Sequence, residues 1–253
     1  MTLADAKYQY LLRMGDNALI LGHRLSEWCG HGPILEQDIA MTNIALDQVG
    51  QARSLLQYAA QLEGKGRTED DLAYKRDVME YRNVLLVEQP NEDFAYTIVR
   101  QFLFDAFNFL LHKSLVNSKD EHLKAIAEKS LKEITYHLRY SSEWMIRLGD
   151  GTAESHQKIQ TALDDLFIYT GELLTPDAVD QAISEAGIGP DFTALQAPYQ
   201  AKIDDILQQA TLQKPEVKYM QSGGKDGRMH TEYLGYILAE LQFVQRAYPN
   251  MEW

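Results

Sequence analysis

Apolar residues recur at intervals of three and four along most of the chain, which is the period of an amphipathic helix. The pattern predicts two long helices over residues 5–29 and 34–62, separated by a turn rich in glycine and proline. Two further long helices are predicted over residues 91–118 and 120–148, and a shorter one over residues 70–86 lies in the crossover. The first 150 residues therefore predict two long helical hairpins joined by a long connection.

The rest of the chain continues the helical pattern in shorter segments. Pro176 is expected at the first position of one of these helices, where the missing backbone N–H costs nothing. Residues 214–229 carry a proline and three glycines and predict a long loop. The predicted C-terminal helices span residues 155–174, 176–185, 192–212 and 230–248.

No segment shows the alternating pattern of a strand, so the predicted fold class is all-α. Two long hairpins joined by a crossover have the connectivity of a ferritin-like four-helix bundle, here with additional C-terminal helices. A single domain is expected over residues 1–253, with the bundle core at about 5–150 and the C-terminal helices at about 151–253.

Composition narrows the possible partners. The 253 residues include 24 lysines and arginines against 37 aspartates and glutamates, a formal charge of −13. This excess argues against nucleic acid or an anionic membrane surface as a partner, because both require a basic face. The single cysteine, Cys29, excludes an internal disulfide, and no apolar run is long enough to span a bilayer. A cytoplasmic protein is expected.

Four acidic residues on the long helices predict the outline of a di-iron site. In carboxylate di-iron bundles, two helices each supply a glutamate and the other two each supply a Glu-x-x-His pair. Asp16 and Asp47 are 31 residues apart on the first hairpin, and Asp105 and Glu133 are 28 apart on the second. Such separations bring residues on paired helices to one level, so all four are expected to face the bundle interior.

The two positions that should supply imidazoles hold other residues. Gly50 lies three residues after Asp47, where close helix packing is the expected reason for glycine, and Tyr136 lies three residues after Glu133. His137, one place later, leaves open a single adventitious metal ion. The sequence predicts no metal in this chain and a degenerate site at Asp16, Asp47, Gly50, Asp105, Glu133 and Tyr136. Buried acids without iron need other partners, and the candidates are Arg53, Arg100, Lys129 and His137.

Several longer motifs together indicate a family. The chain resembles the C-type subunits of the bacterial phenylacetyl-CoA epoxidases from Tyr10 to Trp253. The segments that carry the resemblance are Gly15-Asp16-Asn17, Glu27-Trp28-Cys29-Gly30-His31, Leu46-Asp47-Gln48-Val49-Gly50-Gln51-Ala52-Arg53, Asn83-Val84-Leu85-Leu86-Val87-Glu88-Gln89-Pro90-Asn91, Lys132-Glu133-Ile134-Thr135-Tyr136-His137-Leu138-Arg139, Leu148-Gly149-Asp150-Gly151-Thr152 and His230-Thr231-Glu232-Tyr233-Leu234-Gly235.

The resemblance implies a non-catalytic, structural subunit that forms a hetero-oligomer with the homologous catalytic subunit of the epoxidase, its A-type partner. That partner carries the di-iron centre, and a reductase subunit with NADPH, flavin and iron–sulfur groups supplies electrons. The assembly converts phenylacetyl-CoA to its ring 1,2-epoxide in aerobic phenylacetate degradation. The resemblance also implies that the C-type chain lends residues near the CoA ester at the subunit interface, here Glu80, Tyr81, Arg82, Asn83, Gln181, Ala182 and Ile183.

Two other interpretations stay open. One is an acyl-CoA-binding helical module. The other is an autonomous di-iron carboxylate oxygenase that uses Asp16, Asp47, Asp105, Glu133 and His137.

Overall fold

The computed structural model describes residues 1–249 and residue 251, and within them every regular element is helical. The first hairpin consists of α1 (Leu3–Ser26) and α2 (Leu35–Glu63). A short helix, α3 (Glu69–Tyr74), opens the crossover to the second hairpin, α4 (Phe94–Leu115) and α5 (Glu121–Gly149). Helix α1 packs along α2, α4 packs along α5, and α2 also contacts α5. The predicted all-α, ferritin-like bundle is confirmed.

Side chains at the helix ends explain where the long helices begin and stop. The Thr2 hydroxyl accepts from the Asp5 N–H at 3.1 Å, while the Asp5 carboxylate accepts from the Thr2 N–H, which is a capping box. Asp93 and Asp120 cap α4 and α5 more simply, because each carboxylate accepts from one backbone N–H in the first turn of its helix. Helix α2 is capped at its C-terminal end by Gly64, whose φ of 66° is a left-handed backbone conformation that glycine adopts with little strain.

The C-terminal half covers the bundle with six shorter helices. Helices α6 and α9 pack against α4, and α8 packs against α1. Buried apolar residues form one core that extends from Ala6 in α1 to Leu238 near the end of the chain. No helix in the described residues is both long and apolar enough to cross a membrane. The six helices are α6 (Ala153–Leu166), α7 (Gly171–Leu174), α8 (Ala178–Glu185), α9 (Phe192–Gln209), α10 (Glu232–Leu241) and α11 (Phe243–Ala247).

The crossover differs most from the sequence prediction. The helix predicted over residues 70–86 ends at Tyr74, and only two 3-10 turns follow, at Val78–Glu80 and Leu85–Glu88. Side chains of α1 supply the reason. Asp16 accepts from the backbone N–H of Arg82 at 2.8 Å, and Asn17 accepts from that of Val84 at 2.8 Å. These backbone donors therefore bond to another helix and hold the crossover extended.

Three C-terminal boundaries also differ. The helix predicted over residues 155–174 breaks at a 3-10 turn, Phe167–Tyr169. Pro176 lies just before the cap of α8, because Asp177 fills the cap position and accepts from two backbone N–H groups. The last predicted helix breaks at Gln242, whose amide donates to Arg76 O at 2.9 Å. The single domain over residues 1–253 stays a prediction, and its residues 250, 252 and 253 lie outside the described ones.

Candidate functional site

Asp16 is fully buried on α1, and a cation from the crossover neutralises it. The Arg76 guanidinium pairs with both carboxylate oxygens, with Nη1 2.9 Å from Oδ2. Arg76 is itself buried, and its guanidinium carbon lies 4.3 Å from the centroid of the Tyr81 ring. Asp16 therefore fastens the crossover to the bundle, and its charge is already compensated.

Asp47 and Glu133 line a groove between α2 and α5, so the expectation that all four acids face the interior is wrong for these two. The Asp47 side chain is 35% exposed, and its Oδ2 accepts from Nε2 of the buried His137 at 2.9 Å. Glu133 is partly exposed and accepts from Gln51 Nε2 at 3.0 Å. The groove has a volume of about 430 Å³, and Gly50 opens onto it. Both acids are held at the seam between the helices by neutral or imidazole donors.

Asp105 is the one predicted acid that is buried inside the bundle without a full counter-charge. Its oxygens accept from Gln101 Nε2 at 2.7 Å and from Ser141 Oγ at 2.8 Å. Burial away from water raises the pKa of Asp105 to about 7, and the nearby His137 ring and the two hydrogen bonds lower it only in part. Asp105 is thus a carboxyl group that keeps its proton up to neutral pH.

This raised pKa makes stability depend on pH. The unfolded carboxyl group ionises near pH 4, whereas the folded one keeps its proton to about pH 7. In between, the folded state binds the extra proton, so the free energy of unfolding falls as pH rises, by up to about 1.4 kcal/mol per pH unit. Asp105→Asn removes this dependence. Urea unfolding at pH 5 and pH 7 should show the asparagine variant gaining about 2–3 kcal/mol on the wild type at the higher pH.

The matched control is Asp164→Asn, which changes an exposed aspartate of α6. Its difference from the wild type should be the same at both pH values. A constant difference for Asp105→Asn as well would mean that Asp105 is already ionised in the folded chain.

Neither residue at the two imidazole positions supplies a ligand beside the acids. Tyr136 is 39% exposed, and its ring centroid lies 5.7 Å from the guanidinium carbon of Arg139. Gly50 is also exposed. Residues 1–249 and 251 contain no group of three or more His, Cys, Asp or Glu side chains arranged to hold a metal ion. With Asp16 bound to Arg76 and Asp105 bonded to Ser141, the residues present do not fit a di-iron cluster.

Gly50 does not serve close helix packing, and that expectation is wrong. A Cβ built there would meet no atom within 4 Å. Gly50→Ala should therefore raise the free energy of unfolding by about 1 kcal/mol, because glycine inside a helix has excess freedom when unfolded. Gly22→Ala is the matched comparison on α1. Its Cβ would lie 3.1 Å from Val49 Cγ2 and 3.3 Å from Ala45 O, so urea unfolding should show a loss of stability. Equal effects at both positions would contradict this distinction.

Of the four predicted partners for the acids, only His137 pairs with one of them. Arg53 is exposed and bonds to Glu69 at 3.3 Å. Arg100 is buried, but it donates to Gln89 O at 2.6 Å and so fixes the loop before α4. Lys129 lines the groove between α2 and α5 without an ion pair among the described residues. The partner that the sequence did not reveal is Arg76, which lies 60 residues from Asp16.

The first stretch predicted to lie near a CoA ester is mostly occupied by internal contacts. Tyr81 and Asn83 are fully buried; the Tyr81 hydroxyl accepts from Gln242 Nε2 at 3.1 Å, and Asn83 Nδ2 donates to Glu88 at 2.8 Å. Glu80 is exposed, but its carboxylate accepts from the backbone N–H at the start of its own turn. Arg82 is partly buried and donates to backbone carbonyls and to a side-chain amide of α1. Arg82 therefore presents the one cation of this stretch to the surface.

The second stretch lies on α8. Ile183 is fully buried, Ala182 is partly buried and Gln181 is exposed. The loop over residues 214–229 links the two stretches. Its Lys225 Nζ pairs with Asp180 of α8 at 2.7 Å, and a Cβ at Gly224 would come 2.4 Å from Asn83 O. The exposed residues of both stretches therefore border one loop, and their proximity to substrate stays a prediction.

Two buried glutamates, neither of them predicted from the sequence, fasten the C-terminal segment to the crossover. Glu172 accepts from the backbone N–H groups of Gly223, Lys225 and Leu85 at 2.9–3.0 Å. Glu88 accepts from His230 Nδ1, from the Thr231 N–H and hydroxyl, and from Asn83. In the sequence, each glutamate is a single acid inside or beside an otherwise apolar run of residues, and this position was the signal for a buried acid.

Helix α2 exposes apolar side chains along one face. Leu35, Ile39, Leu46 and Val49 are spaced by four, seven and three residues, and so lie on the same side of the helix. Each is exposed, with Leu46 at 65%. Exposed apolar residues that form a continuous stripe mark a surface that contacts another molecule. This stripe, the α2 face, runs beside the groove that holds Asp47 and Gly50.

Comparison with known proteins identifies the group to which this architecture belongs. The chain matches the family model described as phenylacetic acid catabolic protein over residues 2–253. The chain belongs to this family. It is 49% identical over 244 residues to the C-type subunit of the Escherichia coli (strain K12) 1,2-phenylacetyl-CoA epoxidase, and the match covers 96% of this chain and 98% of that protein.

Family membership confirms the resemblance found in the sequence and agrees with the helical bundle described above. The family is described by its role in phenylacetic acid catabolism, and the relative is named as one subunit of an epoxidase.

Proposed function

We propose that this chain is a non-catalytic structural subunit of a multicomponent di-iron oxygenase that converts phenylacetyl-CoA to its ring 1,2-epoxide in aerobic phenylacetate degradation. It binds and supports the homologous catalytic subunit, the A-type partner. In this proposal the iron belongs to that partner, NADPH, flavin and iron–sulfur groups belong to the reductase, and this chain carries no cofactor. The 49% identity to a C-type epoxidase chain supports the choice of assembly.

The observation that carries the non-catalytic role is that all four acidic side chains are bonded to other groups of the protein. Each is already held by protein groups: Asp16 by Arg76, Asp47 by His137, Glu133 by Gln51 and Asp105 by Ser141. A ligand that must bind two metal ions needs free oxygens that converge on one point. These carboxylates point to different partners instead, and two of the six metal-site positions hold glycine and an exposed tyrosine.

The α2 face is the surface that we assign to the catalytic subunit. Long helices that expose apolar side chains in a row are suited to pack against a helix of a second subunit. The adjoining groove carries both acidic and basic groups at its rim, as the polar edge of an interface does. Within the same proposal, phenylacetyl-CoA approaches the loop beside Arg82 and Gln181.

The test measures both the iron content of this chain and its binding to the catalytic subunit. The chain is produced alone and with the catalytic subunit, loaded with iron, and separated by size exclusion before iron is measured on each polypeptide. We expect a stable complex and no stoichiometric iron on this chain. About two iron atoms bound to the isolated chain would instead favour an autonomous oxygenase.

A substitution on the α2 face locates the contact. Leu46→Asp should weaken pairing about 30-fold or more, because it places a charge in a desolvated interface. Leu62→Asp is the matched control: it makes the same change on α2, at a side chain that is 37% exposed on nearly the opposite side. Titration of labelled subunits measures both. Equal weakening by the two variants, or none by Leu46→Asp, would move the interface to another surface.

A further inference from the structure

A second concave surface lies on the second hairpin, which is formed by α4 and α5, away from the α2 face. It is a groove of about 430 Å³ between α4, α5 and α9. Its walls are almost entirely apolar and include Phe109, Leu110, Leu138 and Ile146. A volume of this size is within the range of small-molecule sites in proteins, which combine apolar walls with a few polar groups.

One polar group in the wall has no partner. Ser142 is only 6% exposed, and its hydroxyl forms no hydrogen bond within the described residues. The preceding residue shows the usual arrangement, because the Ser141 hydroxyl donates to Asp105 at 2.8 Å. A buried hydroxyl without a partner costs free energy. The Ser142 oxygen is covered by neighbouring protein atoms, so a ligand in the groove would meet an apolar wall at this residue.

The rim is basic although the chain as a whole is acidic. Arg139 and Lys202 both line the groove, and neither forms an ion pair within residues 1–249 and 251. Lys113 adds a third cation nearby, with its Nζ 6.0 Å from the centroid of the Phe109 ring. The single acid of the lining, Glu143, lies 3.7 Å from Arg147 and is partly compensated there. The groove therefore presents net positive charge beside an apolar surface.

We propose that this groove binds a small amphiphilic anion, a carboxylate attached to an aryl or alkyl body. Arg139 on α5 lines the groove, and its guanidinium can donate to both oxygens of one carboxylate. Lys202 approaches from α9, and the body of the ligand covers Phe109, Leu138 and Ile146. This site is independent of subunit pairing through the α2 face.

The test uses two soluble probes that differ mainly in charge, 4-phenylbutanoate and 4-phenylbutan-1-ol, with binding to the full chain measured by titration calorimetry. The wild type should bind the carboxylate about tenfold or more tightly than the alcohol. In Arg139→Gln/Lys202→Gln that preference should fall to less than about twofold. Ser142→Ala should bind both probes as the wild type does, because the hydroxyl that it removes is covered by protein atoms.

Two controls keep the proposal falsifiable. Lys124→Gln/Lys158→Gln removes the same charge from a half-buried and an exposed position outside the groove and should keep the wild-type preference. Thr135→Trp places a large ring in the groove from an exposed residue and should abolish binding of both probes. Equal binding of acid and alcohol by the wild type, or binding that survives Thr135→Trp, would overturn the proposal.

A final comparison is between the free chain and its complex with the catalytic subunit. The complex with the catalytic subunit should bind 4-phenylbutanoate as the free chain does. Loss of binding in the complex would show that the partner's surface covers the groove, which would also overturn the proposed ligand. Failure of the binding tests on the free chain leaves the assignment of the α2 face untouched, because those tests do not measure pairing.

Discussion

Arg76→Met is expected to destabilise the folded chain by about 3–5 kcal/mol, because it leaves the Asp16 carboxylate buried without its counter-charge. The loss includes further contacts. Arg76 also donates to the backbone carbonyls of Leu72 and Glu80, which would lose a donor. Urea unfolding followed by helical circular dichroism measures the change, and the midpoint should shift strongly while the slope stays constant.

Two further variants test whether the loss of stability comes from the uncompensated Asp16 charge or from replacing any arginine. Arg53→Met removes an exposed cation that pairs with Glu69 and should cost less than about 1 kcal/mol. Asp16→Asn combined with Arg76→Met should recover part of the loss, because no uncompensated charge is left buried. If Arg76→Met costs no more than Arg53→Met, the Asp16 charge is compensated in some other way.

Glu172→Ala is expected to cost about 3–6 kcal/mol, because two buried backbone N–H groups and a partly buried one lose their acceptor together. The loop over residues 214–229 should loosen with it, so limited proteolysis should cut the variant there much faster than the wild type. Glu172→Gln keeps one acceptor oxygen, so its stability and its cleavage rate should lie between those of the wild type and Glu172→Ala. Urea unfolding gives the free energies.

The control for this prediction is Glu240→Ala, which removes an exposed glutamate from α10. It should leave both stability and the proteolytic pattern within error of the wild type. An unchanged cleavage rate in Glu172→Ala would show that the loop is held mainly by its other contacts, such as the pair between Lys225 and Asp180.

The parts of the fold that could be predicted are those with a local cause. The four long helices follow from apolar periodicity and from caps such as Asp93 and Asp120, which act on residues within one turn. Their predicted ends lie within three residues of the observed ones. The absence of imidazole at Gly50 and Tyr136 was likewise visible in the sequence, because it depends only on spacing along a helix.

The parts that were missed depend on partners far apart in the chain. Nothing near Arg76 shows that its guanidinium will meet Asp16, and nothing near Val84 shows that its N–H will meet Asn17. Helix periodicity also could not place Asp47 at a seam and Asp105 in the interior, because that depends on where α5 supplies His137 and Ser141. Long-range side-chain bonding thus decided the crossover and the environment of each acid.

The pairing of Glu88 with His230 and Thr231 has a consequence for biosynthesis. Glu88 leaves the ribosome more than 140 residues before the groups that satisfy it. At ordinary elongation rates this delay is on the order of ten seconds. During that time its carboxylate must stay hydrated, so the connection between the two hairpins cannot close while the nascent chain is growing. The native fold is therefore completed only after His230 and Thr231 have been translated.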